Sequence, residues 1–294
     1  MEIAAIITVF NRKELTIRCL RSLQETMIQS GLEEKISLTV FLTDDGSTDG
    51  TEDAIKDVGF AIPIIILQGT GSMFWNAGMI NSWNAAIAHG GFDGYLWLNN
   101  DVIIKPGLWR EIIDADEYSL NTYGKHGIYV GSLTDMAETH LTYGGFNFRN
   151  KITLSDEFVV PDGTFQSCQC AHGNITYVSS EVVEARGVFC KEYIHGGADH
   201  DYTYLAYKAG FPLIVLREYV GLCDNDHVGS RAVMAEMTLK DRIAFLKSPH
   251  GLNLHNTLLF QKRCFPLRYP IVLIMSYFKA LCPRFSYKIS NLFR

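Results

Sequence analysis

The sequence predicts an α/β fold with a mostly parallel central sheet flanked by helices, and three observations carry that reading. Four short apolar runs rich in β-branched residues fall in the first hundred residues, helix-length segments separate them, and polar clusters stand at their carboxyl ends. Runs this apolar suit strands covered on both faces, and sheets of that kind bind ligands beyond the carboxyl ends of their strands.

Ile3–Val9 is the first strand. The helix after it opens at Asn11, which with Glu14 has the capping-box spacing, and Leu20, Leu23 and Met27 repeat at helical spacing. Ile36–Thr43 is the second strand and Thr48–Asp57 a short helix. Ile62–Leu67 is the third strand, Trp75–His89 a second long helix, and Tyr95–Leu98 the fourth strand. The later part is less regular. The paired glycines within Thr142–Phe148 predict a hairpin, Ser179–Gly187 and Tyr202–Gly210 predict helices, and Phe211–Leu216 predicts a strand. A main domain is expected over residues 1–240, with a basic, aromatic helical extension over 241–294.

At 294 residues, 47% hydrophobic and 20% charged, the chain can bury one large core with a small appendage, which excludes a disordered chain. The N-terminus shows no basic leader and no small-residue cleavage pattern, so a cytoplasmic protein is expected. Seven widely spaced cysteines agree with reduced thiols. Cys168 and Cys170 form the one close pair and His172 is near, but no further ligands follow at zinc-like spacing.

The net charge of −6 is unevenly distributed: Arg242–Arg294 holds nine Lys or Arg and no Asp or Glu. An acidic body argues against nucleic acid as a partner, and the basic tail fits peripheral contact with an anionic membrane surface. Ile271–Leu281, bracketed by Pro270 and Pro283, is well short of the roughly 20 residues a spanning helix needs. It reads either as a helix packed on the body or as an interfacial helix flanked by Arg268, Lys279, Arg284 and Lys288.

Four segments carry candidate chemistry. Leu42–Thr51 runs from a strand into Asp44, Asp45 and Ser47, where carboxylates can accept from a pyrimidine base or from ribose; a capped strand–turn–helix without ligand reads equally well. Asn99, Asn100 and Asp101 end the fourth strand, where a carboxylate can hold Mn²⁺ or Mg²⁺ against a diphosphate, or make an Asx turn. Asp199 and Asp201 flank His200 past a Gly-Gly turn, as an acid–base site or as helix caps. His227 lies in Asp226-His227-Val228-Gly229-Ser230-Arg231; it is either a structural histidine or a ligand.

Thr8-Val9-Phe10-Asn11-Arg12, followed by Asp44-Asp45-Gly46-Ser47-Thr48-Asp49, resembles the opening of family 2 glycosyltransferases. The resemblance extends over roughly residues 3–231 and implies the A-type glycosyltransferase fold, with a nucleotide-binding half over about 1–105 and an acceptor half over about 106–240. It implies that Thr8, Phe10, Asn11, Arg12, Asp44, Asp45, Ser47 and Asn100 hold the nucleotide. Trp75, Asn76, Asn99, Ser230 and Arg231 would border the donor sugar and diphosphate, and Asp101 and His227 would hold the divalent cation. Asn99 stands where the family's metal motif has its first Asp. Asp199 matches the family base, with His200 and Asp201 as acceptor-side or structural neighbours, and Ala198 replaces a frequent Glu. Phe74-Trp75 and Leu98-Asn99-Asn100-Asp101 look most like the rhamnosyltransferase branch.

The activity so implied is inverting transfer of a sugar from a dTDP- or UDP-linked donor to a saccharide or lipid-linked acceptor, as in bacterial surface-polysaccharide assembly at the inner face of the membrane. Two other readings share the fold: a non-catalytic nucleotide-sugar-binding scaffold, and a nucleotidyltransferase. The latter normally shows a Gly-rich first loop followed by a basic residue, and Thr8–Arg12 does not.

Overall fold

The structure is a computed structural model that describes residues 1–150, 152–225, 237–248 and 251–283. The expected alternation is present at the start: β1 (Glu2–Val9), α1 (Lys13–Ser30), β2 (Ser37–Asp44), α2 (Thr51–Val58), β3 (Ile64–Gln68), α3 (Phe74–His89) and β4 (Gly94–Leu98). There follow β5 (Ile103–Ile104), α4 (Leu108–Tyr123), β6 (Ile128–Thr134), β7 (Leu141–Tyr143), β8 (Gly145–Asn150), β9 (Ser155–Phe158), β10 (Gln166–Ser167), β11 (Cys170–Ala171) and β12 (Ile175–Ser179). The chain continues through α5 (Ser180–Arg186), α6 (Ala198–Lys208), β13 (Leu213–Leu222), α7 (Leu239–Lys247), α8 (Leu254–Cys264) and α9 (Tyr269–Leu281).

The main sheet has the order β10-β13-β6-β12-β4-β1-β2-β3, with β5 on β13 and β7 on β6. β3, β2, β1 and β4 are mutually parallel; β12 enters antiparallel between β4 and β6. Alternate side chains of one strand enter different cores. Ile3, Ala5, Ile7 and Val9 of β1 join Leu20 and Leu23 of α1 and Trp109 of α4, while Ala4 and Ile6 join Met79 and Trp83 of α3. The same division separates Leu96 and Leu98 from Tyr95 and Trp97 on β4. Each fully buried Leu or Ile contributes about 1.5–3 kcal/mol, so the apolar runs fix the two-sided sheet.

α3 lies very close to β1. A Cβ on Gly78 would stand 2.1 Å from Thr8 Oγ1, so glycine at that position lets the helix approach the strand end.

Three expectations change. Thr142–Phe148 is not a hairpin: β7 pairs with β6, whereas β8 pairs with β9 and β11 in a separate three-stranded sheet. The helix expected from Tyr202 begins at Ala198, which puts Asp199 and His200 in its first turn. Asn11 does not cap α1; it adopts a left-handed conformation (φ 51°) and its Oδ1 accepts from Thr48 N at 2.7 Å. Asp49 takes over, accepting from Lys13 N at the start of α1 and from Thr51 N and Oγ1 at the start of α2.

Candidate functional site

The carboxyl ends of β1, β2 and β4 meet at one edge of the sheet, and the polar clusters come together there. Asn11 joins the first two: its N–H donates to Ser47 Oγ at 2.9 Å, alongside the Thr48 bond. Asp44 Oδ1 accepts from Ser47 N at 2.8 Å and closes the same turn. Thr8 Oγ1 donates to Thr43 O at 3.4 Å, and Phe10 leaves its ring half exposed at this edge.

Asp45 is 5% exposed and binds the loop between β3 and α3. Its Oδ1 accepts from Gly71 N at 2.8 Å, and its Oδ2 from Met73 N at 2.7 Å and Phe74 N at 3.2 Å. That loop delivers Trp75, whose Nε1 donates to Asn99 Oδ1 at 2.9 Å. Asn100 is buried and donates to Thr16 Oγ1 on α1 at 3.1 Å. Asn76 is wholly buried; its Nδ2 donates to Cys190 O and Tyr193 O, in the segment that leads to Asp199.

Asp101 pairs with Arg12, Nη1 to Oδ2 at 2.8 Å, and Cys223 Sγ lies 3.7 Å from its other oxygen. Among the described residues no group of three His, Cys, Asp or Glu is arranged to hold a metal. Asp101 does sit against one cation already, the Arg12 guanidinium. A lone carboxylate that accepts positive charge at a strand end fits a divalent ion whose remaining ligands come from a diphosphate and water. His227, Ser230 and Arg231 lie outside the described residues.

Asp199 is held from two sides. Its Oδ2 accepts from Gly173 N and its Oδ1 from His200 N, both at 2.9 Å. A Cβ on Gly173 would come within 3.2 Å of Asp199 Cβ and 3.4 Å of the Trp75 ring, so this glycine brings the carboxylate beside the donor-side loop. The Gly173–Asn174 segment also reaches β4, because Asn174 O accepts from Asn99 N at 3.0 Å.

Burial pushes the Asp199 carboxyl up, but His200, His172 and the two backbone N–H donors outweigh burial and hold it below the usual carboxylate range. Burial, with the charge of His200, pushes His172 down to about 4. His172 is therefore neutral at pH 7, and the N–H groups of Gly173 and of His200, the latter in the first turn of α6, add their bonds to keeping Asp199 ionised.

Asp201 has a different environment. It is 2% exposed, and its Oδ1 accepts from Arg263 Nε at 2.8 Å and Tyr193 OH at 3.2 Å. The positions that sequence reasoning missed are Gly173, His172, Arg263 and Asn256. Asn256 donates to His195 O and Gly196 O and accepts from Ile194 N. Arg263 left a signal as part of the basic tail and His172 as a neighbour of the Cys168–Cys170 pair, and neither pointed to Asp201 or Asp199.

The profile of glycosyl transferase family 2 matches residues 4–170, more than half the chain. No curated protein sequence matches significantly. Among solved structures, a mannosyltransferase from Pyrobaculum calidifontis in complex with GDP-Man and Mn²⁺ is similar at TM-score 0.52 and 15% identity, over 95% of this chain and 75% of that one. S. aureus TarS 1–349 in complex with UDP gives TM-score 0.52 and 14% identity, over 89% and 70%. The same TarS fragment with UDP-GlcNAc gives 0.51 and 13%, over 89% and 71%. At these identities the likeness shows the fold, the A-type glycosyltransferase architecture, and the profile shows the rest: the chain is a glycosyltransferase and belongs to glycosyl transferase family 2.

Proposed function

We propose that this glycosyltransferase binds a nucleotide-diphosphate sugar, dTDP- or UDP-linked, at the ends of β1, β2 and β4 and transfers the sugar with inversion to an acceptor hydroxyl. The observation that carries the reading is the Asp199 carboxylate: ionised, fixed by two backbone donors, and reached across Gly173 from the Trp75–Asn99 pair. A base of this kind removes the proton from an attacking hydroxyl, and its fixed orientation spares the reaction a reorganisation cost.

Arg12 offers a guanidinium to the departing diphosphate. Thr8, Phe10, Asn11, Asp44 and Ser47 border the nucleotide, with Asp45 and Asn100 shaping the turn and strand end from behind. Asp101, together with His227 by resemblance, would hold Mn²⁺ or Mg²⁺, which when bound neutralises diphosphate charge. Attack on the face opposite the leaving group inverts the anomeric carbon. The GDP-Man, UDP and UDP-GlcNAc complexes of similar structures support a nucleotide-sugar donor.

The setting we propose is surface-polysaccharide or glycoconjugate assembly at the inner face of a membrane. No helix among the described residues is long and apolar enough to cross one. Ile271, Ile274 and Met275 of α9 are exposed on one side with Lys279 near them, which supports peripheral contact. Deleting residues 265–294 is expected to release the protein from anionic vesicles in cosedimentation; unchanged pelleting contradicts that part.

A thermal-shift panel of UDP, dTDP, GDP and CDP, with and without Mn²⁺ or Mg²⁺, tests the donor site. A ligand that binds only the folded state at a hundredfold excess over Kd adds about 2.7 kcal/mol of stability. One nucleotide is expected to raise Tm, more so with metal; no shift with any of them contradicts the reading.

A further inference from the structure

A cavity lies where the first turn of α6 faces α8, and its described lining comes entirely from residues beyond the family match. It encloses about 430 Å³ between the Gly197 turn and His200 on one side and Asn253, Thr257, Phe260 and Gln261 on the other. Small-molecule sites occupy roughly 300–1,000 Å³, so the space suits a compact ligand.

The walls are fixed to each other. Asn256 bonds three backbone groups of the 194–196 segment, Asn253 Nδ2 donates to His195 O at 3.4 Å, and His255 Nε2 lies 2.9 Å from Glu192 O. Arg263 joins the same helix to Asp201, two residues from Asp199. α8 is thus part of the frame around Asp199.

The lining carries amide, hydroxyl and backbone polar groups, the Phe260 ring and the imidazoles of His195 and His200, and no Lys, Arg, Asp or Glu among its described residues. That chemistry suits hydroxyl groups and an apolar ring face; it offers no Lys or Arg to a phosphate or carboxylate. His200 lines the cavity and adjoins the base, its Nε2 3.9 Å from Asp199 Oδ2. That nitrogen is buried beside Asp199, with no hydrogen-bond partner among the described residues.

We infer that this cavity is the acceptor subsite and takes an uncharged sugar ring, so that the C-terminal helix selects the acceptor. Phe260 supplies the apolar wall, Thr257 and Gln261 meet ring hydroxyls, and His200 bounds the ring on the side of Asp199. The inference rests on the sugar-transfer reading for its acceptor role, but not for sugar binding.

Saturation-transfer NMR on the full chain, with the methyl glycosides of glucose, galactose, rhamnose and N-acetylglucosamine as probes, tests it. Thr257 is exposed, so Thr257→Trp and Thr257→Arg fill the cavity mouth from a position that folding does not depend on. At least one glycoside is expected to bind the wild type and Thr257→Ser, and to bind Thr257→Trp and Thr257→Arg at least about tenfold more weakly. The nucleotide-induced Tm shift should be equal in all four proteins. No glycoside binding to the wild type, or binding unchanged in both filled variants, overturns the inference. Glycoside binding lost in the filled variants of a protein that shows no nucleotide shift supports the cavity as a sugar site and sinks the donor reading alone.

Discussion

Arg12 Nη1 donates to Asp101 Oδ2 at 2.8 Å, joining the loop after β1 to the end of β4 across the site where a diphosphate is expected. Both side chains are partly exposed, 44% and 23%, so the pair itself stabilises the fold by less than about 1 kcal/mol. Its value lies in holding a positive group beside the one charged residue of Asn99-Asn100-Asp101. In Asp101→Asn the extra Tm shift that Mn²⁺ adds to nucleotide is expected to vanish. In Arg12→Ala that extra shift should remain, while the shift in metal-free buffer falls. Differential scanning fluorimetry reads both.

Asp45 is expected to matter more for folding than for contact with a ligand. Asp45→Ala removes a buried carboxylate that accepts from three backbone N–H groups of the partly buried turn, those of Gly71, Met73 and Phe74. Unfolding in urea should show a loss of about 3 kcal/mol, whereas Ser47→Ala, at the exposed rim of the same turn, should cost under about 1 kcal/mol.

This contrast shows how much was legible in the sequence. The strands of the parallel half were, because buried strands must be apolar along their length, and the positions of Asp44, Asp101 and Asp199 followed from where those runs and turns stop. What each polar residue bonds to was not. Asp45 and Asp44 are adjacent and chemically identical, yet one closes its own turn and the other binds a loop 26 residues on. Asn11 has capping-box spacing but joins a neighbouring loop, and the 142–148 glycines separate two sheets instead of turning one hairpin. Such choices depend on tertiary neighbours, which local pattern does not encode. Gly173 is the extreme case: its contribution is a backbone N–H, and no side chain announces it.

Arg263 and Asp201 make a second testable relationship. Asp201 is 2% exposed, so Arg263→Ala leaves a buried carboxylate with the Tyr193 hydroxyl and Cys264 thiol as its side-chain donors among the described residues. A loss of about 3 kcal/mol is expected in urea unfolding, and Arg263→Ala combined with Asp201→Asn should recover part of it.

His172 gives the stability a pH dependence with a defined sign. Its imidazole titrates at about 4 in the fold against 6.5 for the free side chain, because burial and the neighbouring His200 disfavour its charge. Between those values the unfolded chain binds more protons, so stability falls as pH drops from 6.5 to 4 and is fully present above that window. His172 accounts for up to about 3 kcal/mol of that fall. His172→Gln should flatten this limb in urea midpoints measured from pH 7 to 4.

The measurement that tests the central claim most directly is release of nucleoside diphosphate from a panel of dTDP-, UDP- and GDP-sugars, compared between the wild type and Asp199→Asn. The account predicts turnover with at least one donor, accelerated by a saccharide acceptor, and a loss of about a hundredfold or more in Asp199→Asn while the nucleotide-induced Tm shift is retained. Turnover that survives Asp199→Asn unchanged, with the variant folded and nucleotide-bound, would contradict it.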